Sequence, residues 1–369
     1  MFEEFAIGNH FCGRREEIVR ITRLAQDGKN ILLYAKRRYG KSSLIKQVYK
    51  TTLKDKKSFM TVYVDLFEVI DEMDFAKLFY QATADAMPFT TAQALKKLLR
   101  YFSKVRFSAG IDGSGSITYL PTLAARDFEE LIKDAFDGIS RYAQEEKVTV
   151  VIALDEFQQI AEVKAKKIDA ILRKYMQSQK NVSYIFSGSK KHLLTNLFNH
   201  QNKPLYNMAT GIELKGIDVK TFYSFVNKGL NKRLTPVAFD YLYELSDGES
   251  KLIQQACYHL YYLDDELLTE HEVDQVITRI VKEADGECRI IYSRLTSPQK
   301  TAMKAVSQFA GKNLFSQSNL NLLGTSKQSL LTALKALIRD ELVDKDNMTY
   351  FITDRKLELW FRQAMRAMN

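Results

Sequence analysis

Between Asn30 and Val48 the chain passes from an apolar run, Asn30-Ile31-Leu32-Leu33-Tyr34, through Ala35-Lys36-Arg37-Arg38-Tyr39-Gly40-Lys41-Ser42, into an amphipathic stretch, Ser43-Leu44-Ile45-Lys46-Gln47-Val48. A strand that turns through glycine-lysine-serine directly into a helix is the phosphate-loop pattern, here with alanine at the first glycine position. Such a loop wraps backbone N–H groups around phosphates and aims a helix N-terminus at them. Lys41 is then expected to reach the β- and γ-phosphates and the Ser42 hydroxyl to coordinate Mg²⁺. Gly40 lets the backbone come close, and a methyl at Ala35 adds little bulk. Taken alone, a chance Gly-Lys-Ser at a helix start reads the same way.

A second segment narrows the choice. Val148 to Leu154 is a continuous, β-branched apolar run, as in a strand buried on both faces. It ends in Asp155-Glu156. Asp155 is placed to hold Mg²⁺ and Glu156 to polarise an attacking water as general base. Two acids at a strand end also suit a plain turn, but not as well in a chain that carries a phosphate loop. A further apolar run, Val182 to Phe186, ends at Ser187-Gly188-Ser189. A polar group there, Ser187 for example, is placed to sit beside the γ-phosphate; Asn181 or a serine equally makes a turn.

Phe59 to Leu66 is another strand candidate, and amphipathic helical segments such as Asp127–Glu146 separate the runs. Strand and helix in alternation predict a parallel sheet covered by helices on both faces. Val105 to Leu120 alternates apolar and polar residues around Asp112-Gly113-Ser114-Gly115 and reads as an inserted β-hairpin or an alternating linker. After Gly216 the strand signals stop. Lys220 to Leu268 reads as helical with a break at Asp247-Gly248. Ser297–Ala310, Ser316–Leu323 and Ser326–Leu342 read as three helices opening at or near serine N-caps. A polar turn, Lys345-Asp346-Asn347, then separates two short apolar runs. Three helices followed by a hairpin predict a winged helix. The expected division is a nucleotide-binding α/β domain over 1–215, an all-α domain over 216–290 and a winged helix-turn-helix over 291–369.

Charge is partitioned rather than spread. Ten bases and one acid lie between Lys29 and Lys57, and ten acids and one base (Lys251) between Asp240 and Asp274. Five lysines and no acid lie between Pro298 and Ile338. The first block surrounds the phosphate loop, so its first partner is a nucleotide. The acidic block is suited to dock on a basic surface. Cys12, Cys257 and Cys288 fit neither a disulfide framework nor a metal site. No membrane span or signal segment is apparent, which points to the cytoplasm.

Together these residues resemble the archaeal-ATPase-like family of P-loop proteins, in the AAA+/STAND division. The matches are Gly13-Arg14-Arg15-Glu16 near the start, Lys36-Arg37-Arg38-Tyr39-Gly40-Lys41-Ser42-Ser43-Leu44, Asp155-Glu156-Phe157-Gln158-Gln159-Ile160, and Ser187-Gly188-Ser189. The resemblance implies a P-loop ATPase that binds ATP and Mg²⁺, with a helical lid and a winged helix. It places Gly13 and Arg14 near the adenine and ribose, although Arg14 equally suits a surface ion pair. It gives Lys36, Arg37 and Arg38 structural or phosphate-proximal roles, with Tyr39 and Ser43 completing the loop. ATP rather than GTP rests on this resemblance, as no Asn-Lys-x-Asp is present. Two departures matter. Lys203 to Thr210 holds no arginine, so a finger acting on a neighbour's nucleotide is not expected from this position. Slow hydrolysis and a switch-like role follow from that. The lid motif at Gly248–Gln255 lacks its proline; there Lys251 either reaches the nucleotide or neutralises Asp247 or Glu249.

Ser326–Leu337 is the expected recognition helix, burying Leu330, Leu334, Leu337 and Ile338 and leaving Lys327, Gln328, Thr332 and Lys335 for phosphates or base edges. Lys300, Lys304 and Lys312 add to this basic field. Winged helices also dock on proteins, and Asp344 and Asp346 oppose a phosphate backbone. DNA binding and a STAND-like signalling or scaffold role, with a protein partner or a homo-oligomer, therefore stand as the two outputs. Trp360 reads as a core anchor.

Overall fold

The computed structural model describes residues 6–55, 57–87, 96, 99–111, 113, 115, 117–123, 127–162, 168–346 and 348–368. It divides into two units. One holds Phe5–Ala35 and Gly40–Leu214; the other holds Lys36–Tyr39 together with Lys215–Asn369.

The first unit is built on a five-stranded, wholly parallel sheet. Its strands are β1 (Ile31–Tyr34), β2 (Phe59–Asp65), β5 (Thr149–Asp155), β6 (Val182–Gly188) and β7 (Thr210–Glu213), in the order β2-β5-β6-β1-β7. Every residue of β6 is buried and β5 is buried from Val150 onward, because helices cover both faces of a parallel sheet. β7 escaped the sequence reading. It is a four-residue edge strand with only Ile212 buried, so it has neither the length nor the apolar run that signals a strand. Pairing of β6 with both β1 and β5 brings the carboxyl ends of these three strands side by side. In open α/β sheets that edge is where ligands bind.

Helix α1 (Arg15–Gln26) precedes β1, α2 (Lys41–Thr51) joins β1 to β2, and α3 (Glu72–Ala86) follows β2. Asp71 caps α3 by accepting from the backbone N–H groups of Met73 and Asp74. A core of edge-on and tilted rings, including Phe157, Phe186 and Phe198, fixes the sheet against its helices. The expected hairpin is present as β3 (Val105–Ile111) and β4 (Ile117–Leu123), antiparallel from Val105↔Leu123 to Ile111↔Ile117. Asp112 and Ser114 of its turn lie outside the described residues.

In the second unit, Lys220–Leu268 breaks more often than the sequence suggested. Three helices, Val219–Gly229, Pro236–Leu245 and Ser250–Tyr261, replace one interrupted run. Asp247 and Gly248 form the expected break, both with positive φ (53° and 70°). The break near 230–235 was hidden because Asn231 and Lys232 take left-handed φ without a glycine. Helices Ser297–Gln308, Gln317–Leu323 and Lys327–Arg339 are followed by the antiparallel pair β8 (Val343–Asp346) and β9 (Thr349–Ile352). Asn347, in their turn, lies outside the described residues. Ser316 and Ser326 cap the second and third helices; the first is capped by Thr296, in a capping box with Gln299. Trp360 packs on this core through Tyr292 and Phe361 and donates its indole N–H to Asp285 at 2.8 Å. No helix among the described residues is long and apolar enough to cross a membrane.

Candidate nucleotide site

The phosphate loop leaves β1 at Ala35 and enters α2 at Lys41. Arg38 and Gly40 both take left-handed φ, 63° and 86°. A Cβ built on Gly40 meets no atom within 4 Å. Glycine is therefore required there for its backbone conformation and not by crowding within the chain.

Around the loop's second half, side chains converge on Asp155, which is 2% exposed. Its Oδ2 accepts from the Ser42 hydroxyl at 2.5 Å and from the Tyr63 hydroxyl at 2.5 Å, and its Oδ1 accepts from Ser187. Burial alone would raise this carboxyl. The three hydroxyl donors and the charge of Lys41 outweigh it and hold the group below its ordinary value. Lys41 itself is only 6% exposed. Asp65, opposite Asp155 in the β2–β5 register, is raised chiefly by burial, with Asp155 and Glu156 adding to the rise. Lys46 lies over the Tyr63 ring at 4.6 Å; burial lowers its ammonium, and Asp65 and Asp155 oppose that.

Glu156 sits at φ 51°, a conformation that costs energy in a residue with a side chain. The Phe157 N–H donates to the Ser187 carbonyl at 2.8 Å, tying this turn to the end of β6. Gln158 Nε2 and Ser189 Oγ, the latter at 3.2 Å, both donate to Glu156 Oε2.

The structure thus brings Ser42, Asp155 and Ser187 into direct contact, with Lys41 and Glu156 adjoining. Ala35 is buried at the loop's start, and Ser43 is half-buried in the first turn of α2. Gly13 and Arg14 form a left-handed entry to α1, where Arg14 pairs with Glu17 at 3.2 Å. That is the ion-pair reading of Arg14, although here the arginine is buried.

The loop's first half, for which structural or phosphate-proximal roles were expected, is held by carboxylates. In the second unit Lys36 pairs with Asp247 at 2.6 Å and Arg37 with Glu341 at 2.7 Å. Arg38 pairs with Asp354 at 2.8 Å and more loosely with Glu249 at 3.6 Å. The Tyr39 hydroxyl donates to the Asp247 carbonyl. Burial pushes the Glu249 carboxyl up to about 7 against the pull of Arg38; Asp354 adds to the rise and Lys356 opposes it. Asp247 and Glu249 therefore take Lys36 and Arg38 as partners, and not Lys251, which is exposed.

Sequence reasoning assigned no role to Tyr63 or Asp65, and none to Gln158 or Ser189 although both lie inside quoted motifs. The signal for Tyr63 and Asp65 was their place at the last turns of β2, legible only once β2 is known to neighbour β5. Lys327, Gln328, Thr332 and Lys335 are all exposed on their helix, while Leu330, Leu334 and Leu337 are buried.

A parallel sheet flanked by helices, with a phosphate loop after β1 and paired acids closing β5, defines a P-loop nucleotide-binding ATPase. The chain belongs to the family described as the ATPase domain predominantly from Archaea, which matches residues 11–256. A search of curated proteins finds no match. Among solved structures, the chain is similar to the Walker-type ATPase PABY2304 of Pyrococcus abyssi, with a TM-score of 0.68 at 18% identity, covering 98% of this chain and 100% of that one. It is also similar to the Aeropyrum pernix ORC2 protein in its ADPNP–ADP complexes, with a TM-score of 0.54 at 13% identity and coverage of 99% and 98%. The Aeropyrum pernix ORC1 protein in complex with DNA gives a TM-score of 0.52 at 12% identity, with coverage of 97% and 94%. At these identities the likeness speaks for the fold.

Proposed function

We propose that this protein is a Mg²⁺-dependent ATPase working as a nucleotide-dependent switch. One observation carries the switch: the cations in the first half of the phosphate loop are engaged by Asp247, Glu249, Glu341 and Asp354. Incoming phosphates compete with these carboxylates for Lys36 and Arg38, so nucleotide occupancy is coupled to the state of residues beyond position 240.

In the chemical step, Lys41 neutralises the β- and γ-phosphates and the helix N-terminus at Lys41 supplies N–H donors. Ser42 and Asp155 would hold Mg²⁺. The fit is reasonable, since a hydroxyl and a carboxylate already in contact form the hard-oxygen pair this ion takes beside phosphate and water. Among the described residues no group of three His, Cys, Asp or Glu is arranged for a metal, and Mg²⁺ needs no such group. When bound, the ion neutralises charge developing on the phosphate oxygens. Glu156 takes the proton from the attacking water, and Ser187 fixes the Asp155 carboxylate. With no arginine in Lys203–Thr210, hydrolysis is slow in the isolated chain. The test is Glu156→Gln: hydrolysis should fall by roughly 10²–10⁴-fold with ATP binding kept. Unchanged turnover would remove Glu156 from the role.

DNA binding is the output favoured by the joint exposure of Lys327, Gln328, Thr332 and Lys335 on the third helix of a winged-helix domain. The DNA complex reported for the ORC1 relative is in line with this. A salt-titrated binding assay of Lys327→Glu with Lys335→Glu should show weaker affinity and a shallower salt slope. No change would favour a protein partner, as in a STAND-like scaffold.

A further inference from the structure

Gln158 is 3% exposed, yet it is polar and does not lie on the strand-end surface itself. Its amide can meet the Glu156 carboxylate only through the NH₂ group, because a carboxylate oxygen accepts and does not donate. That fixes the other end of the amide. Oε1 is buried with no hydrogen-bond partner among the described residues. It is pressed against Gly188, where a Cβ would come within 1.9 Å of it. A buried acceptor left unpaired is destabilising, so an apolar side chain of the same shape would suit the fold better. The orphaned oxygen is the consequence of turning the NH₂ group toward Glu156. Gln158 and Ser189 both donate to Oε2, which leaves Oε1 of the same carboxylate with no partner among the described residues.

Resting on the assignment of Glu156 as general base, we infer that Gln158 is a positioning residue. Together with Ser189 it holds Glu156 by one carboxylate oxygen so that the other is presented to the attacking water. The absence of a side chain at Gly188 is what makes room for this amide. The glutamine thus serves turnover at a cost in stability.

Gln158→Met keeps the length and volume of the side chain while removing both the donor and the orphaned acceptor. Single-turnover hydrolysis should fall at least about tenfold, with KM for ATP within about twofold and Tm equal to or above wild type. Ser189→Ala should give a smaller loss of the same kind. In a Glu156→Gln background, Gln158→Met should cause no additional loss, because the group it positions is gone. A Gln158→Met protein with wild-type turnover, a fall in Tm matched by weaker ATP binding, or full multiplication of the two losses in the double variant would overturn the inference. If Glu156→Gln slows hydrolysis and Gln158→Met does not, only the positioning role fails. If Glu156→Gln is as fast as wild type, the base assignment fails with it.

Discussion

The two halves of the phosphate loop are contiguous and both carry bases, three in the first and one in the second, but they have different fates. Lys36, Arg37 and Arg38 end on carboxylates of the second unit, with side chains 31–46% exposed. Lys41 is buried beside Asp155, and Ser42 donates to that same carboxylate. The difference lies in the backbone and not in the charge. Left-handed φ at Arg38 and Gly40 separates the two halves, and only residues after Gly40 begin a helix with free N-terminal N–H groups. A count of basic residues therefore does not tell which of them are held on the chain's own carboxylates and which are buried at a helix N-terminus; the backbone conformation does.

The comparison can be sharpened within the first half, where the acid partners differ in burial. Glu249 is 5% exposed and its carboxyl is raised from 4.5 to about 7. A group raised in the folded state contributes stability that is full below its unfolded pKa and lost as pH rises through the folded value. Wild type should therefore lose up to about 3 kcal/mol from this group between pH 4.5 and about 7. Glu249→Gln should remove that part of the slope in urea unfolding at pH 5 and pH 8. An unchanged slope would mean that Arg38 already neutralises the carboxylate. Lys36→Ala breaks a pair with far more exposed side chains, 40% and 55%. Its expected cost is about 0.2–1 kcal/mol, screened further by salt. A loss as large as that from Glu249 would break the distinction drawn between the two pairs.

Much of this was legible in the sequence. The apolar run before Ala35, the glycine at 40 and the run ending in Asp155-Glu156 were enough for a parallel sheet with its site at the strand ends. The docking role of the acidic block was visible as charge, but its partners were not, because Lys36 and Asp247 are 211 positions apart in the sequence. Tyr63 was missed because a tyrosine in a strand looks like packing until the sheet order puts β2 next to β5. Gln158 was missed for a different reason. It reads as a polar residue after a turn, and only its burial and its unpaired oxygen set it apart. β7 and the break at Asn231-Lys232 carry too little local signal to be read without tertiary contacts.

The account turns on the second half of the loop being the phosphate site, and an equilibrium titration of ATP with Mg²⁺ against wild type and Lys41→Ala tests that directly. The predicted result is a loss of at least about 1.4 kcal/mol, tenfold or more in Kd, for the variant. Equal affinity in the two proteins would contradict the site.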